Sequence, residues 1–415
     1  MYSLELSPEQ IEIRDTIRDF VAREIKPFAQ QSARLEALDR RLPLQLLDQV
    51  SQMGLRALAL SEASGGVGVD NLTCCIVTEE FATGDPDIAA VLSHTATLAH
   101  VLFDKSMSAE QRSRLLPSFL GEDRHHLAFA ELEADSDPAL GVNYHRPETS
   151  EAALKTIAAR DGDAWIVNGT KTCVPNAPIA GLFAVEVQTP GTHRTSTPGA
   201  TTLLVPAKSP GLTVREPDQT RRWYHGACGD VSFDNVRVPA ENLLGPQGGS
   251  PLRRILTDLA TPQLAALNLG IGRAAYEAAL DYAQLRVQGG RRIIEHQAIG
   301  VKLADVAIKL EVARAMIWQA AWASDHPEAH ASRSVSALPL GAIAQTFAAE
   351  TIYGCTKQAV ECFGAMAVMR DMPLQKHVHD ALICLHSGTG TSDAKLRIAE
   401  ALAGYRRPTA MLAAE

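Results

Sequence analysis

The chain has 415 residues, 46% hydrophobic and 21% charged, with 39 Lys+Arg against 48 Asp+Glu for a formal net charge of −9. That composition describes a soluble globular protein and excludes a disordered, collagen-like or disulfide-stapled chain; at roughly 100–200 residues per domain it makes two to four folded units. Its basic residues form pairs such as Arg221-Arg222, Arg253-Arg254 and Arg291-Arg292 rather than a patch, so no nucleic-acid partner is expected, because attraction to phosphates needs clustered positive charge.

Ser7-Pro8-Glu9-Gln10 predicts a helix start: serine caps free N–H groups, proline suits the first turn, and Gln10 closes a capping box. Ile13, Ile17, Phe20, Val21 and Ile25 then recur at helical spacing. Leu44 to Met53 is a second amphipathic helix ended by Gly54, and helical character resumes over Leu72–Phe81, Leu98–Phe103 and Ala109–Phe119. The texture changes near residue 124. Leu154 to Val167, with turns at Asp161-Gly162-Asp163 and Asn168-Gly169, is a strand–turn–strand signature. Short β-rich runs follow at Leu182–Val187, Thr201–Val205, Leu212–Glu216 and Val231–Val238, so a compact antiparallel barrel or sandwich is expected, with surface loops at 134–152 and 189–200. From about residue 248 the helical period returns. Leu264–Leu285, a helix with the stripe Leu303, Val306, Leu310, Ala313 and Ile317, then Leu340–Phe363 and Ile383–Leu402 predict a four-helix bundle.

The seven cysteines are scattered and lack C-x-x-C spacing, which argues against a disulfide framework or zinc site and for reduced thiols. Glu5, Glu9, Glu12 and Asp15 are the wrong pattern for a signal peptide. No window approaches 18 uninterrupted apolar residues, so no membrane insertion is expected. A cytoplasmic location is the expectation. His377-Val378-His379-Asp380 reads as helix surface rather than a metal site, and Gly65-Gly66-Val67-Gly68 lacks the Lys-Ser/Thr of a phosphate loop. No metal is expected.

Five segments in order, Tyr2–Gln10, Trp165–Lys171, Phe233–Pro239 with Asn242–Gly245, Arg286 through Glu295-His296-Gln297-Ala298-Ile299, and Gly390-Thr391-Ser392, resemble the acyl-CoA dehydrogenase family of flavoproteins over essentially the whole chain. The resemblance implies an α+β fold: an N-terminal helical domain (1–124), a central β domain (125–247) and a C-terminal four-helix bundle (248–415). It implies FAD between the β domain and the bundle, an acyl-CoA thioester as substrate, an electron acceptor, and a homodimer or homotetramer whose FAD site borrows residues from a neighbouring subunit. In the family a carboxylate removes the α-proton while the β-hydride passes to the flavin. Hydrogen bonds must stabilise the developing enolate, and burial must raise the base's pKa.

The base positions depart from that pattern. The segment matching the family's Tyr-Glu-Gly-Thr-Ser loop is Leu385-His386-Ser387-Gly388-Thr389-Gly390-Thr391-Ser392. Different registers place Thr389, Gly388 or Ser387 at the base, and the alternative base position on the first bundle helix is Ala260. The titratable candidates are Asp87, His94 and His386; Asp85 and Asp87 also read as helix caps, and the two histidines as ordinary helix residues.

For FAD the resemblance implies Ala130, Ser136, Cys173 (in place of a flavin-shielding tryptophan), Pro175 (in place of a threonine near flavin N5), Arg286, Gln297, Glu361 (in place of a glutamine), Gly364 and Thr391. Cys173 also reads as a small buried filler or a reactive thiol. For substrate it implies Ser136, Asp258 at the pantetheine, and Ala89 and Ser93 at the pocket floor. Three readings follow: an FAD-dependent acyl-CoA dehydrogenase-like oxidoreductase with a non-standard base, a non-catalytic subunit paired with a related catalytic one, or an acyl-CoA-directed elimination or oxygenation enzyme.

Overall fold

The computed structural model describes residues 5–35, 41–134, 154–190, 200–217, 223–250, 252–326, 338–369, 371–386 and 390–403. Ser136, Ser387 and Thr389 lie outside these, as do nearly all of the loops expected at 134–152 and 189–200.

The first helix, α1 (Pro8–Phe20), opens with the expected capping box: Gln10 N–H donates to Ser7 Oγ at 3.1 Å, and Ser7 N–H donates to Gln10 Oε1 at 3.0 Å. A π-helical segment carries it on to α2 (Lys26–Ala29), followed by α3 (Ser32–Leu35) and α4 (Leu44–Gln52). Then come α5 (Asn71–Gly84), α6 (Pro86–Ala99) and α7 (Ala109–Gly121). Helix α5 is buried on nearly every face. Its two adjacent acids are neutralised by cations from other helices: Glu79 by Arg273 (2.7 Å) and Arg314 (2.8 Å), Glu80 by Arg18 (2.8 Å) and Arg273. A buried carboxylate is tolerated only when so paired.

The β domain holds β1 (His126–Ala130), β2 (Ile157–Asp161), β3 (Ala164–Pro175), β4 (Ala180–Val187), β5 (Thr201–Pro206), β6 (Leu212–Arg215), β7 (Cys228–Pro239) and β8 (Leu243–Leu244). They form two four-stranded sheets, β1-β4-β5-β8 and β2-β3-β7-β6. Trp165, Val167, Phe183, Val185, Leu203, Val205, Val231 and Phe233 pack together as the core of the domain.

Two expectations need correction here. The domain is not wholly antiparallel, because β1 pairs with β4 in parallel; the β2–β3 hairpin, which belongs to the other sheet, separates them, so the chain returns in its original direction. And Asn168-Gly169 is no turn. Strand β3 runs through it at a β-bulge, with Gly169 at φ +138 and an added Cβ only 2.7 Å from Thr156 Cα.

The C-terminal domain begins with α8 (Leu252–Leu285), 34 residues long. A tight turn with β9 (Val287–Gln288) and β10 (Arg291–Arg292) leads to α9 (Gln297–Asp325), then α10 (Leu340–Glu361), α11 (Leu374–His386) and α12 (Gly390–Leu402). The α9 stripe is buried as expected. The count of four is corrected: among the described residues the last predicted helix is two, α11 and α12, and Gly390 stands at φ +75 at the break. Helix α8 starts twelve residues earlier than read, carrying Pro262 in its interior.

The helical halves are continuous in packing. Leu72, Cys75 and Ile76 of α5 share a core with residues of α8, α9 and α10, while Leu267, Ile271, Ala381 and Cys384 join the core of the N-terminal helices.

Candidate active site

The three domains meet at the segment 223–227, which leads into β7. His225 has a side chain only 4% exposed, and it touches two helices. Its Nε2 lies 3.1 Å from the Asp380 carbonyl and 3.6 Å from Cys384 Sγ, both on α11. Its Nδ1 lies 3.6 Å from Asp87 Oδ1, in the first turn of α6. Gly226 N–H donates to the same Asp87 oxygen at 3.0 Å. Gly226 has φ +75, and a Cβ there would press within 3.4 Å of Val91, Ala90 and the Asp87 carbonyl, so the segment can sit this close only without a side chain. Asn176, also at positive φ, ties the end of β3 to α6 through Val91 O (3.3 Å) and Thr95 Oγ1 (3.1 Å).

This arrangement places Asp87 between α6 and the 223–227 segment. Asp85 is the N-cap of α6, accepting from Asp87 N–H at 2.9 Å. Asp87 itself is 1% exposed and spends an oxygen on holding the 223–227 segment. His94 is pushed down to about 4 by burial, which keeps it neutral at physiological pH. His386 is exposed at the last residue of α11. Ala260 is half-buried on α8.

The implied cofactor residues fall into two groups. At one end of the bundle, Arg286 N–H donates to Tyr282 O at 2.8 Å, and Tyr282 stacks on Phe363 with ring centroids 4.3 Å apart. Gly364 follows at φ +57. Ile293 N–H bonds back to Arg286 O at 2.9 Å, which brings Gln297, the first residue of α9, to the same end. Arg286 and Gln297 are exposed. Glu361 is paired with Lys302 at 2.5 Å, and that pairing lowers its pKa. The negative charge that Glu361 would bring is thus compensated by Lys302, a residue the sequence reading did not single out.

The second group lies on the β domain. Pro175 ends β3 opposite Cys228 of β7, and half-buried Cys173 precedes it at φ +54. Ala130 is fully buried at the end of β1, its methyl in the sandwich core, so only its backbone could meet a ligand. Thr391 is half-buried in the first turn of α12, and Asp258 is exposed on α8. Ala89 packs in the helical core, while Ser93 is half-buried and donates to Ala90 O at 3.3 Å. Among the described residues no group of three His, Cys, Asp or Glu could hold a metal ion, and no helix is long and apolar enough to cross a membrane.

Three family models match the chain in order: the N-terminal domain of acyl-CoA dehydrogenase over residues 7–123, its middle domain over 146–236 and its C-terminal domain over 258–402. The chain belongs to the acyl-CoA dehydrogenase family. It is 29% identical over 406 residues to the short-chain specific mitochondrial acyl-CoA dehydrogenase of Bos taurus, covering 97% of this chain and 92% of that one. It is likewise 29% identical over 397 residues to a probable acyl-CoA dehydrogenase of Bacillus subtilis, with 94% and 97% covered. Among solved structures, butyryl-CoA dehydrogenase from Megasphaera elsdenii superposes with a TM-score of 0.80 at 24% identity over 97% of this chain and 100% of that one. PigA with FAD and proline superposes at 0.82 with 21% identity, over 98% and 100%. These likenesses confirm the acyl-CoA dehydrogenase fold.

Within that fold, the bundle end suits an anionic group: an exposed guanidinium, an exposed amide at a helix start, and a carboxylate neutralised by its own lysine. Pro175 has no N–H to donate, and Cys173 offers a thiol.

Proposed function

We propose that this chain is an FAD-dependent oxidoreductase acting on an acyl-CoA thioester, with a base other than the family's carboxylate. The supporting observation is the junction at 223–227, which fixes α6, the β3/β7 end and α11 against one another; a reaction between two bound groups needs its walls held in register. Arg286 and Gln297 would hold the FAD diphosphate, and Asp258 would meet the pantetheine. Bound FAD supplies the hydride acceptor that side chains lack. His386 stands directly before the Ser387–Thr389 segment and is exposed, and an imidazole nitrogen can take up a proton. It is the base candidate. A homodimer or homotetramer in the cytoplasm, passing electrons to a separate acceptor, completes this reading.

A second reading is favoured by one specific observation: every register of the base segment, and Ala260, lacks a carboxylate. It makes the chain a non-catalytic partner in a heteromeric acyl-CoA dehydrogenase. The visible spectrum of the purified protein separates the two. Flavin bands near about one equivalent per chain, sharply reduced by Arg286→Ala and bleached by an acyl-CoA unless His386 is changed to Gln, support the oxidoreductase. A protein that stays colourless with added FAD overturns that reading, and unchanged flavin in Arg286→Ala overturns the role of Arg286.

A further inference from the structure

Helix α6 is buried along almost its whole length. Of its 14 residues only Ala90, Ser93 and His94 are half-buried rather than buried. Their spacing, i, i+3 and i+4, puts them on one face of the helix. That face begins at the 223–227 segment, where a Cβ on Gly226 would lie 3.3 Å from Ala90 Cβ. It ends at α8, since Thr97, one turn beyond His94, donates to Gln263 Oε1 at 3.0 Å. The accessible stripe therefore borders the gap between α8 and the segment that leads into β7. Of the two residues implied at the pocket floor, Ala89 packs into the core and Ser93 lies on this stripe. The Ser93 hydroxyl donates to Ala90 O at 3.3 Å. His94 Nε2, by contrast, is buried and has no hydrogen-bond partner. Burial is the sole cause that holds the ring down, to about 4. Among the described residues no charged neighbour acts on it, and it stands neutral with one N–H and one lone pair. A buried polar atom left unpaired is unfavourable until something bonds to it.

We propose that His94 selects the substrate by hydrogen-bonding a hydroxyl group carried on the acyl chain. This rests on the acyl-CoA reading of the site and names the class of acyl group within it. A hydroxyl both donates and accepts, so it pairs with a neutral imidazole in either tautomer. The torsion that turns the ring is broad and two-fold, so a half-turn presents its other edge to the gap. A carboxylate tail would need a cation beside it, and this ring carries no charge. A plain alkyl tail fails for a different reason: it expels water from around His94 and returns no hydrogen bond. Discrimination of this kind is strong, because the polar group that would be left unpaired is already built into the wall.

Isothermal titration calorimetry on the full-length protein as purified provides the test, with hexanoyl-CoA and its 4-, 5- and 6-hydroxy counterparts as probes. At least one hydroxylated thioester is expected to bind about tenfold or more tightly than hexanoyl-CoA. His94→Leu keeps apolar bulk and removes both ring nitrogens, and is expected to bring that ratio to about one or below. His94→Gln, which restores a donor and an acceptor, is expected to retain a preference for the same hydroxylated thioester. A parent protein that binds hexanoyl-CoA as tightly as every hydroxylated thioester overturns the proposal and leaves the acyl-CoA reading standing. So does a preference that survives in His94→Leu. If none of the thioesters binds, the acyl-CoA reading falls and takes the proposal with it. Should His94→Leu fail to fold, the affinities of the parent protein decide alone.

Discussion

The sharpest chemistry in single residues lies where charge is buried. Lys171 and Glu133 form an ion pair at 2.7 Å with side chains 0% and 2% exposed. Glu133 also accepts the N–H groups of Lys155 (2.6 Å) and Thr156 (3.0 Å), and Lys171 donates to Glu131 O at 3.2 Å. Burial pushes the Glu133 carboxyl up, yet Lys171 and these N–H donors outweigh it and leave it below the usual range. Removing the lysine strands the acid. Lys171→Met is expected to lower stability by about 3–5 kcal/mol, read from the urea midpoint, while Lys171→Met with Glu133→Leu recovers much of the loss. A single variant as stable as the parent would show that the pair adds nothing. None of this was legible in the sequence, where Lys171 is one residue of a family-like hairpin motif. His225 was equally invisible: its role depends on α6 and α11 arriving from 138 and more residues away in the chain, and no local pattern encodes that meeting.

Elements were readable to the extent that one of their faces is wet. The α9 stripe was plain because polar residues alternate with it, and all five of its members are buried. Helix α5 was read only in part, since a helix buried all round has no polar face to mark its period. Pro262 hid the first turns of α8, because proline signals a helix start more often than an interior position. Asn-Gly misled for the opposite reason: it is the strongest short hairpin signal, yet here its glycine serves a bulge. That yields a measurable consequence. Gly169→Ala places a side chain at φ +138 and against Thr156 Cα, so a loss of about 1–3 kcal/mol in thermal or urea unfolding is expected. An unchanged midpoint would mean that the bulge is free to relax.

Across the whole molecule, the family resemblance carried what periodicity could not, namely how the three regions are arranged. The packing adds that the helical regions at the two ends of the chain are joined by Glu79 and Glu80 with their arginines. Burial pushes the Glu80 carboxyl up, but its bonds to Arg273 and Arg18 outweigh this and hold it below its ordinary 4.5. A depressed folded-state value contributes stability that is fully present above 4.5 and is lost as pH falls through the folded value. The urea midpoint is therefore expected to drop as pH is lowered below 4.5, less steeply in Glu80→Gln. A parent and variant with the same profile there would remove this link from acid unfolding.

The β domain departs from the helical body along β1 and rejoins it after β8, and these are the two edges of one four-stranded sheet. Its two attachment points are separated by three strand spacings across the sheet, about 14 Å, and also along it, because His126 lies in the row of Ala180 and Leu244 in the row of Glu186. Tension applied between the helical halves would therefore run obliquely across the sheet, loading its hydrogen bonds partly in shear. The shared core of α5, α8, α9 and α10 is the clamp that keeps such a load from reaching the sandwich.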